Sequence, residues 1–278
     1  MTVRVVTDSS CDLPLELADE LGIGIVPLTV RFGSEELVDD RDLTPAIFWS
    51  RSASSATLPE TAAPSPGAFE TAFRAAAEAG ASGVLCVNLS SRLSATVASA
   101  RTAAQSLAGQ IDVRVVDSRS VSLGLGLMAT AAARCAADGA DLDQVVKEVE
   151  ALIGRTRVIG ALDTLEYLKK GGRIGGAQAL LGSVLSVKPM IEVLDGAVEP
   201  GPKLRTRARA MRQLVDRVAA ESSITNLAIL HGDAPDVDVL VEAIRPHFPA
   251  ERIIVGNLGA VVGSHTGPRT IGVAYQVA

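Results

Sequence analysis

Three short, mostly apolar runs, at 3–7, 83–87 and 113–116, each end on small polar residues and are separated by helical segments. This spacing constrains the fold more than any other feature of the chain. Four or five consecutive apolar residues read as a strand buried on both faces. Strands alternating with helices form a parallel sheet with helices packed on each side. The carboxyl ends of such strands make the edge at which ligands bind. Asp8-Ser9-Ser10, Asn88-Leu89-Ser90-Ser91 and Asp117-Ser118 all fall on that edge.

The rest of the first half fits around this sheet. Residues 14–21 read as a short helix, and residues 25–30 as a second strand that Pro27 demotes toward an edge. Thr44 caps a helix running to 49. Residues 53–66, with Pro59, Pro64 and Pro66, read as a long loop of the kind that often carries function. Helices are expected at 66–78, 94–107, 122–138 and 142–154, the last capped by Asp141.

A different pattern begins near Thr156. A strand at 158–162 and a short helix at 164–170 lead to the break Gly171-Gly172-Arg173-Ile174-Gly175-Gly176. An apolar helix at 177–185 and a strand at 187–194 follow. Asp195-Gly196 is a strong hairpin signal, so residues 197–199 should return antiparallel. A helix at 206–221, strands at 224–231 and 252–255 around a helix from 236, and a terminal strand at 271–277 complete the chain. The expected fold is α/β in two lobes: an N-terminal parallel-sheet α/β/α lobe over 1–155 and a C-terminal α/β lobe with antiparallel strands over 156–278. A ligand would lie between them.

Composition narrows the function. Hydrophobic residues make up 47% of the 278, enough for a packed core, while aromatics are only 3%. A net charge of -6 argues against nonspecific nucleic-acid binding, which needs clustered cations. Cys11, Cys86 and Cys135 are scattered and form no Cys-x-x-Cys pair, so they read as small buried hydrophobes. No stretch has the ~18 apolar residues of a membrane span. Met1-Thr2-Val3-Arg4 runs straight into the first strand without a signal-peptide pattern, so the expectation is cytoplasmic.

Several chemical signatures are weak or missing. There is no phosphate-binding Gly-x4-Gly-Lys-Ser/Thr. Gly124-Leu125-Gly126-Leu127-Met128-Ala129 matches a dinucleotide fingerprint but lies eight residues past Val116, so close helix packing explains its glycines better. His231, His247 and His265 have no metal-ligand spacing. Asp39, Asp40 and Asp42 read as a solvated turn. No Gly-x-Ser-x-Gly elbow occurs, although a Ser–His–Asp triad assembles in space and stays open. The glycine pairs around Arg173 read as a helix end or as an anion cradle. His265 sits between Gly263 and Gly267, where the backbone has unusual freedom, which favours a functional role. Residues 203–212 carry five cations, with Leu204, Ala208, Met211 and Val215 at helical spacing. That segment is either a solvated basic face or a dock for an acidic partner or phosphate.

Taken in order, the motifs resemble the DegV family from end to end. They are Val6-Thr7-Asp8-Ser9-Ser10, Thr61-Ala62-Ala63-Pro64-Ser65-Pro66, Ser90-Ser91-Arg92-Leu93-Ser94-Ala95-Thr96, Asp117-Ser118 with Gly124-Leu125-Gly126, Leu165 through Ile174, Lys188-Pro189, and His265-Thr266-Gly267-Pro268. The resemblance implies a carrier subunit of a bacterial fatty acid kinase, with no intrinsic cofactor and no metal. One long-chain fatty acid would lie in an apolar tunnel, its carboxyl held by Thr61, Ser94 and His265. Arg205 would match an arginine used in the kinase step. Ser91, Ala62, Arg173 and Thr266 are further site candidates. A separate ATP-dependent kinase would transfer phosphate to give an acyl phosphate, so the carrier, expected as a monomer without membrane insertion, would be no complete enzyme. The chain departs from the family pattern at Ala62, where a Ser is usual, and at Ala95 and Arg269, where Gly is usual. Two other readings stand beside this one. One is a stand-alone lipid ester hydrolase using His265 and a nearby Ser. The other is a regulatory module docking through its basic helix.

Overall fold

The computed structural model describes residues 2–181 and 188–278. Strands β1 (Val3–Asp8), β2 (Gly24–Val26), β6 (Gly83–Asn88) and β7 (Val113–Asp117) form a parallel sheet in the order β2-β1-β6-β7. Every residue of β6 is buried, as expected for a central parallel strand covered on both faces. After α1 (Leu15–Glu20) and α2 (Pro45–Ser54), helices α3 (Pro66–Glu78) and α4 (Thr96–Ser106) cover one face through Phe69, Phe73, Ala100 and Ala103. Helix α5 (Leu123–Ala137) lies on the other, backed by α6 (Leu142–Ile153), whose Asp141 makes the expected cap with Gln144.

The second sheet has six strands in the order β10-β9-β8-β13-β11-β12. They are β8 (Thr156–Ala161), β9 (Lys188–Leu194), β10 (Ala197–Leu204), β11 (Ile224–His231), β12 (Ile253–Asn257) and β13 (Ile271–Val277). All pair antiparallel except β11 with β12. Helices α8 (Arg207–Ala219) and α9 (Val237–Ile244) cover its outer face. Its inner face meets α5 and the end of the parallel sheet, and one apolar core runs through both sheets from Val5 and Leu85 to Val158 and Leu230.

The structure corrects the sequence reading at several places. Residues 25–30 are not one strand. Pro27 has no N–H to extend the ladder, so the chain leaves the parallel sheet and starts a separate three-stranded sheet. That sheet is built from β3 (Thr29–Phe32), β4 (Glu35–Val38) and β5 (Glu60–Ala62). Strand β5 lies inside the stretch expected to be loop. It is only three residues long and has no apolar alternation to betray it.

The glycine-rich stretch around His265, expected to have unusual backbone freedom, is helical. His265 sits in the last turn of α10 (Ala260–Thr266), whose glycine content hides a helix. Gly263 is required there, since a Cβ would lie 2.9 Å from the Trp49 ring and nearer still to Phe48. The return strand after Asp195-Gly196 continues to Leu204 despite Pro200 and Pro202. It is an edge strand whose register shifts between Pro200 and Lys203, so the missing N–H groups cost little. Finally, the basic segment is strand up to Leu204 and helix only after the Thr206 cap. Its buried face is Ala210, Leu214 and Val218, and Ala208 is exposed. Of the helix expected at 177–185, a 3-10 turn over Gly175–Leu180 is present; the remainder, like the start of the strand expected at 187, falls on 182–187, outside the described residues.

Candidate functional site

The two sheets do not close completely on each other. Between them lies a cavity with about 900 Å3 of atom-free space, mouth included. From the parallel-sheet side its walls are Leu28, Leu89, Leu93 and Val121. From the six-stranded sheet they are Val158, Leu162, Ile191, Val193, Val198 and Leu230, and Val261 and Val262 come from α10. This lining is short aliphatic side chains with no aromatic ring among them.

Polar side chains enter this wall at few points. Thr61 on β5, Ser94 before α4, Arg173, His265, Thr266, Thr270 and Ser122 border the cavity. Thr61 Oγ1 and His265 Nε2 are hydrogen-bonded at 2.8 Å. Ser94 Oγ lies 2.9 Å from Thr96 Oγ1 and accepts from the Thr96 N–H. The Arg173 guanidinium donates to the carbonyls of Leu93 (3.0 Å) and Gly171 (2.6 Å), and among the described residues it pairs with no carboxylate. Arg173 therefore ties the Ser94 loop to the glycine break behind His265.

Thr61, Arg173 and His265 also border a second recess on the outside, with Glu60, Tyr167, Lys170 and Ser264. The Thr61–His265 pair thus stands at the division between an apolar interior and a polar exterior. Burial, with the nearby Arg173 cation, pushes the His265 pKa down to about 4, so the imidazole is neutral at pH 7. Its Nδ1 is buried and unpartnered, packed against Gly171. A Cβ at Gly171 would lie 2.9 Å from the ring's Cε1 and closer to Nδ1. Gly267 takes φ +77° beside the Tyr167 ring and ends α10 two residues past His265.

Of the residues singled out from sequence, Thr61, Ser94, Arg173, His265 and Thr266 meet at the cavity. Three do not. Ser91 is exposed and donates its hydroxyl to Asp117. Ala62 is exposed on the opposite side of β5 from Thr61, so a hydroxyl there would face away from the cavity. Arg205 is exposed just past β10 and has no hydrogen bond or ion pair among the described residues. Close to it in the fold, Lys188, Arg207 and Arg269 gather around Asp163, and Arg207 also pairs with Asp236. Ala95 has φ −76°, an ordinary value, so its methyl causes no backbone strain. Arg269 has φ +61°, a conformation glycine takes more readily.

Sequence reasoning missed Ser122 and the apolar walls. Ser122 holds φ +54°, ψ −145° and donates its hydroxyl to Asp12 at 2.6 Å. Nothing in its neighbours signals that conformation. The wall residues recur at no fixed spacing because they come from eight separate segments. Among the described residues no cluster of His, Cys, Asp and Glu is arranged to hold a metal ion. Likewise, no helix there is long and apolar enough to cross a membrane.

Comparison with known proteins agrees with this architecture. A DegV domain-containing protein of Streptomyces coelicolor is 37% identical over 99% of this chain and 98% of its own length. A DegV family protein from Thermus thermophilus, solved as a fatty-acid-binding protein, superposes with a TM-score of 0.92 at 36% identity over the whole of both chains. DegV of Bacillus subtilis, also described as a fatty acid binding protein, gives 0.87 at 28% identity, with both chains fully covered. A stearic-acid-binding protein of Eubacterium ventriosum gives 0.89 at 25%, over 99% of this chain and 98% of that one. The family's sequence pattern, described as that of an uncharacterised protein family, matches residues 2–278, and the chain belongs to the DegV family.

Proposed function

We propose that this protein binds one long-chain fatty acid between its lobes and presents the carboxyl group to a partner kinase for conversion to an acyl phosphate. The observation that carries the reading is the placement of the Thr61–His265 pair, on the line between an aliphatic cavity and a polar recess. An amphiphile with one long apolar tail and one anionic end matches that division. The solved relatives described as fatty-acid-binding proteins support the same ligand class.

The energetics fit. Each buried methylene contributes about 0.8 kcal/mol, so a fourteen-methylene tail gains roughly 11 kcal/mol before association costs. The carboxylate forfeits part of that gain unless it is hydrogen-bonded. A neutral imidazole with the proton on Nε2 donates to Thr61 Oγ1, which frees the Thr61 hydroxyl to donate to the carboxylate. The Ser94 hydroxyl is a second donor, and Arg173, lacking a carboxylate partner, supplies the compensating charge. Thr266 borders the same space. One cation and two hydroxyls hold the head group without burying several charges together.

The kinase step belongs outside the cavity. Arg205, exposed and unpaired among the described residues beside the Lys188–Arg207–Arg269 cluster, would meet a phosphorylated nucleotide or an acidic surface of the partner. A hydrolase reading is less well supported. His265 Nδ1 has no orienting carboxylate, and its Nε2 partner is Thr61 rather than a serine. Denaturing the purified protein, extracting it with solvent and weighing the fatty acids by mass spectrometry tests the binding claim. Near one fatty acid per chain supports it. No lipid, even after incubation with a fatty-acid panel, rejects it.

A further inference from the structure

Of the acidic run that reads as a solvated turn, Asp42 is exposed and Asp40 half-buried, but Asp39 is not solvated. Asp39 is 1% exposed, and Asp12, from the loop after β1, is 8% exposed. Buried carboxylates are costly unless well hydrogen-bonded, so what they bond to is informative. Asp12 Oδ1 accepts from the Gly259 N–H at 2.8 Å, and its Oδ2 from the Ser122 hydroxyl. Asp39 Oδ1 accepts from the Ala260 N–H at 3.3 Å. Next to them the Trp49 indole N–H reaches Asn257 Oδ1 at 3.1 Å and the Leu258 carbonyl at 3.2 Å. Four consecutive residues, 257–260, are thus held by three side chains that all precede residue 50.

Those four residues lead directly into α10. We infer that Asp12 and Asp39 are positioning residues for His265, fixing from the N-terminal lobe the helix that carries the imidazole to Thr61. The first N–H groups of a helix have no partners within it, and a carboxyl oxygen satisfies them. Gly259 allows the approach, since a Cβ there would lie 3.2 Å from Asp12 Oδ1. Helix α10 has only seven residues, so His265 sits about 7.5 Å along the axis from Ala260, with no spare turn to absorb a shift. Packing of Gly263 on Trp49 holds the middle of the same helix.

Burial raises both carboxyl pKa values. Asp39 rises to about 7, and Asp12 rises despite hydrogen bonds from Ser122 and Gly259 that oppose the shift. Two costly buried groups therefore lie at the point where the helix begins. Ser122, which joins Asp12 to the cavity wall, holds an unusual backbone conformation at the same junction.

The test uses the full-length protein and the variants Asp12→Ala, Asp12→Asn and Asp39→Ala. The His265 ring titration is followed by NMR without ligand, and palmitate dissociation is measured separately. Only the palmitate measurement rests on the carboxyl-site reading. In the wild type His265 should stay neutral down to about pH 5. In Asp12→Ala its midpoint should move toward the ordinary histidine value as water reaches the ring, and palmitate should leave about fivefold faster, the equivalent of one lost hydrogen bond. Asp39→Ala should act in the same direction. Asp12→Asn keeps an oxygen for the Gly259 N–H and should restore both readouts. Folded Asp12→Ala and Asp39→Ala proteins with an unmoved His265 titration would overturn the inference, even if both melt at lower temperature. If Asp12→Ala does not fold, Asp39→Ala and Ser122→Ala decide by the same criterion. If the wild type takes up no palmitate, the carboxyl reading fails and the His265 titration alone decides the positioning role.

Discussion

Gly171→Ala should weaken fatty-acid binding while leaving the fold intact. Gly171 has φ −72° and ψ −8°, which alanine adopts without strain, so any effect comes from contact rather than backbone. The added methyl would lie 2.9 Å from His265 Cε1, nearer to Nδ1, and 3.0 Å from the Tyr167 carbonyl oxygen. Nonbonded carbon and nitrogen atoms prefer about 3.5 Å, so the ring must retreat by roughly an ångström. A hydrogen bond that starts at 2.8 Å does not survive a shift of that size. Losing it costs about 1–2 kcal/mol, or roughly 5–30-fold in Kd. Calorimetric titration of palmitate into lipid-stripped protein measures this directly. Gly172→Ala is the control. Gly172 has φ +70° and nothing within 4 Å of a Cβ, so alanine should cost about 1 kcal/mol of stability and leave affinity alone. Equal palmitate affinities in the two variants would refute the role assigned to the His265 ring.

Other outcomes follow from the same geometry. Replacing Thr61 and Ser94 together by Ala should reduce retained lipid by at least about tenfold, since two donors to a carboxylate are lost; unchanged occupancy on mass spectrometry would remove them from the site. Arg205→Ala should bind fatty acid like the wild type yet fail in phosphorylation with the partner kinase, and normal turnover would exclude Arg205 from that step. The pKa of His265 is depressed in the folded protein, so the unfolded chain binds the extra proton first as pH falls. Its contribution is therefore lost between about pH 6.5 and 4, to a total of roughly 3 kcal/mol. Asp39 has the opposite sign, because its raised pKa favours the folded state at low pH and that advantage fades as pH rises toward 7. Thermal melts across pH 4–7 should then show a shallower acid loss in His265→Gln and a steeper one in Asp39→Asn. Identical slopes in all three proteins would contradict both assignments.

How much of this was legible beforehand depended on whether the signal was local. The parallel strands announce themselves as apolar runs ending at Asp8, Asn88 and Asp117, because burial on both faces leaves no room for polar alternation. Caps at Thr44 and Asp141 were equally readable, since each is a single side chain bonding its own next turn. Strand β5 and helix α10 were not. One is stabilised by pairing with β3 across about thirty residues, the other by Phe48, Trp49, Asp12 and Asp39 from the far end of the chain. Thr61 and His265 belong to these two elements. Their meeting is set by tertiary contacts that leave no periodic trace. The family resemblance supplied the residue identities, but it did not supply the helix under His265 or the outward direction of Ala62.

The same separation of signals bears on how the site can work. On the proposed reading, a fatty acid would be held by its tail for most of its length while one end is exposed to a partner. In this fold the two demands fall on different parts. The aliphatic walls, Val158 and Val193 from the six-stranded sheet and Leu89 just past β6, offer apolar area and no polar contact to the tail. The polar end rests on two of the shortest elements, a three-residue strand and a seven-residue helix, tied down by side chains from elsewhere. Such elements move at small cost if their ties are altered, whereas the sheets do not. On that reading the tail's share of the affinity should follow the area of the walls, while the carboxyl's share and its presentation follow the alignment of β5 with α10. Substitutions in the walls are expected to change which chain length is carried. Substitutions at Asp12, Asp39 or Gly171 are expected to change how the carboxyl is held, whatever tail lies behind it.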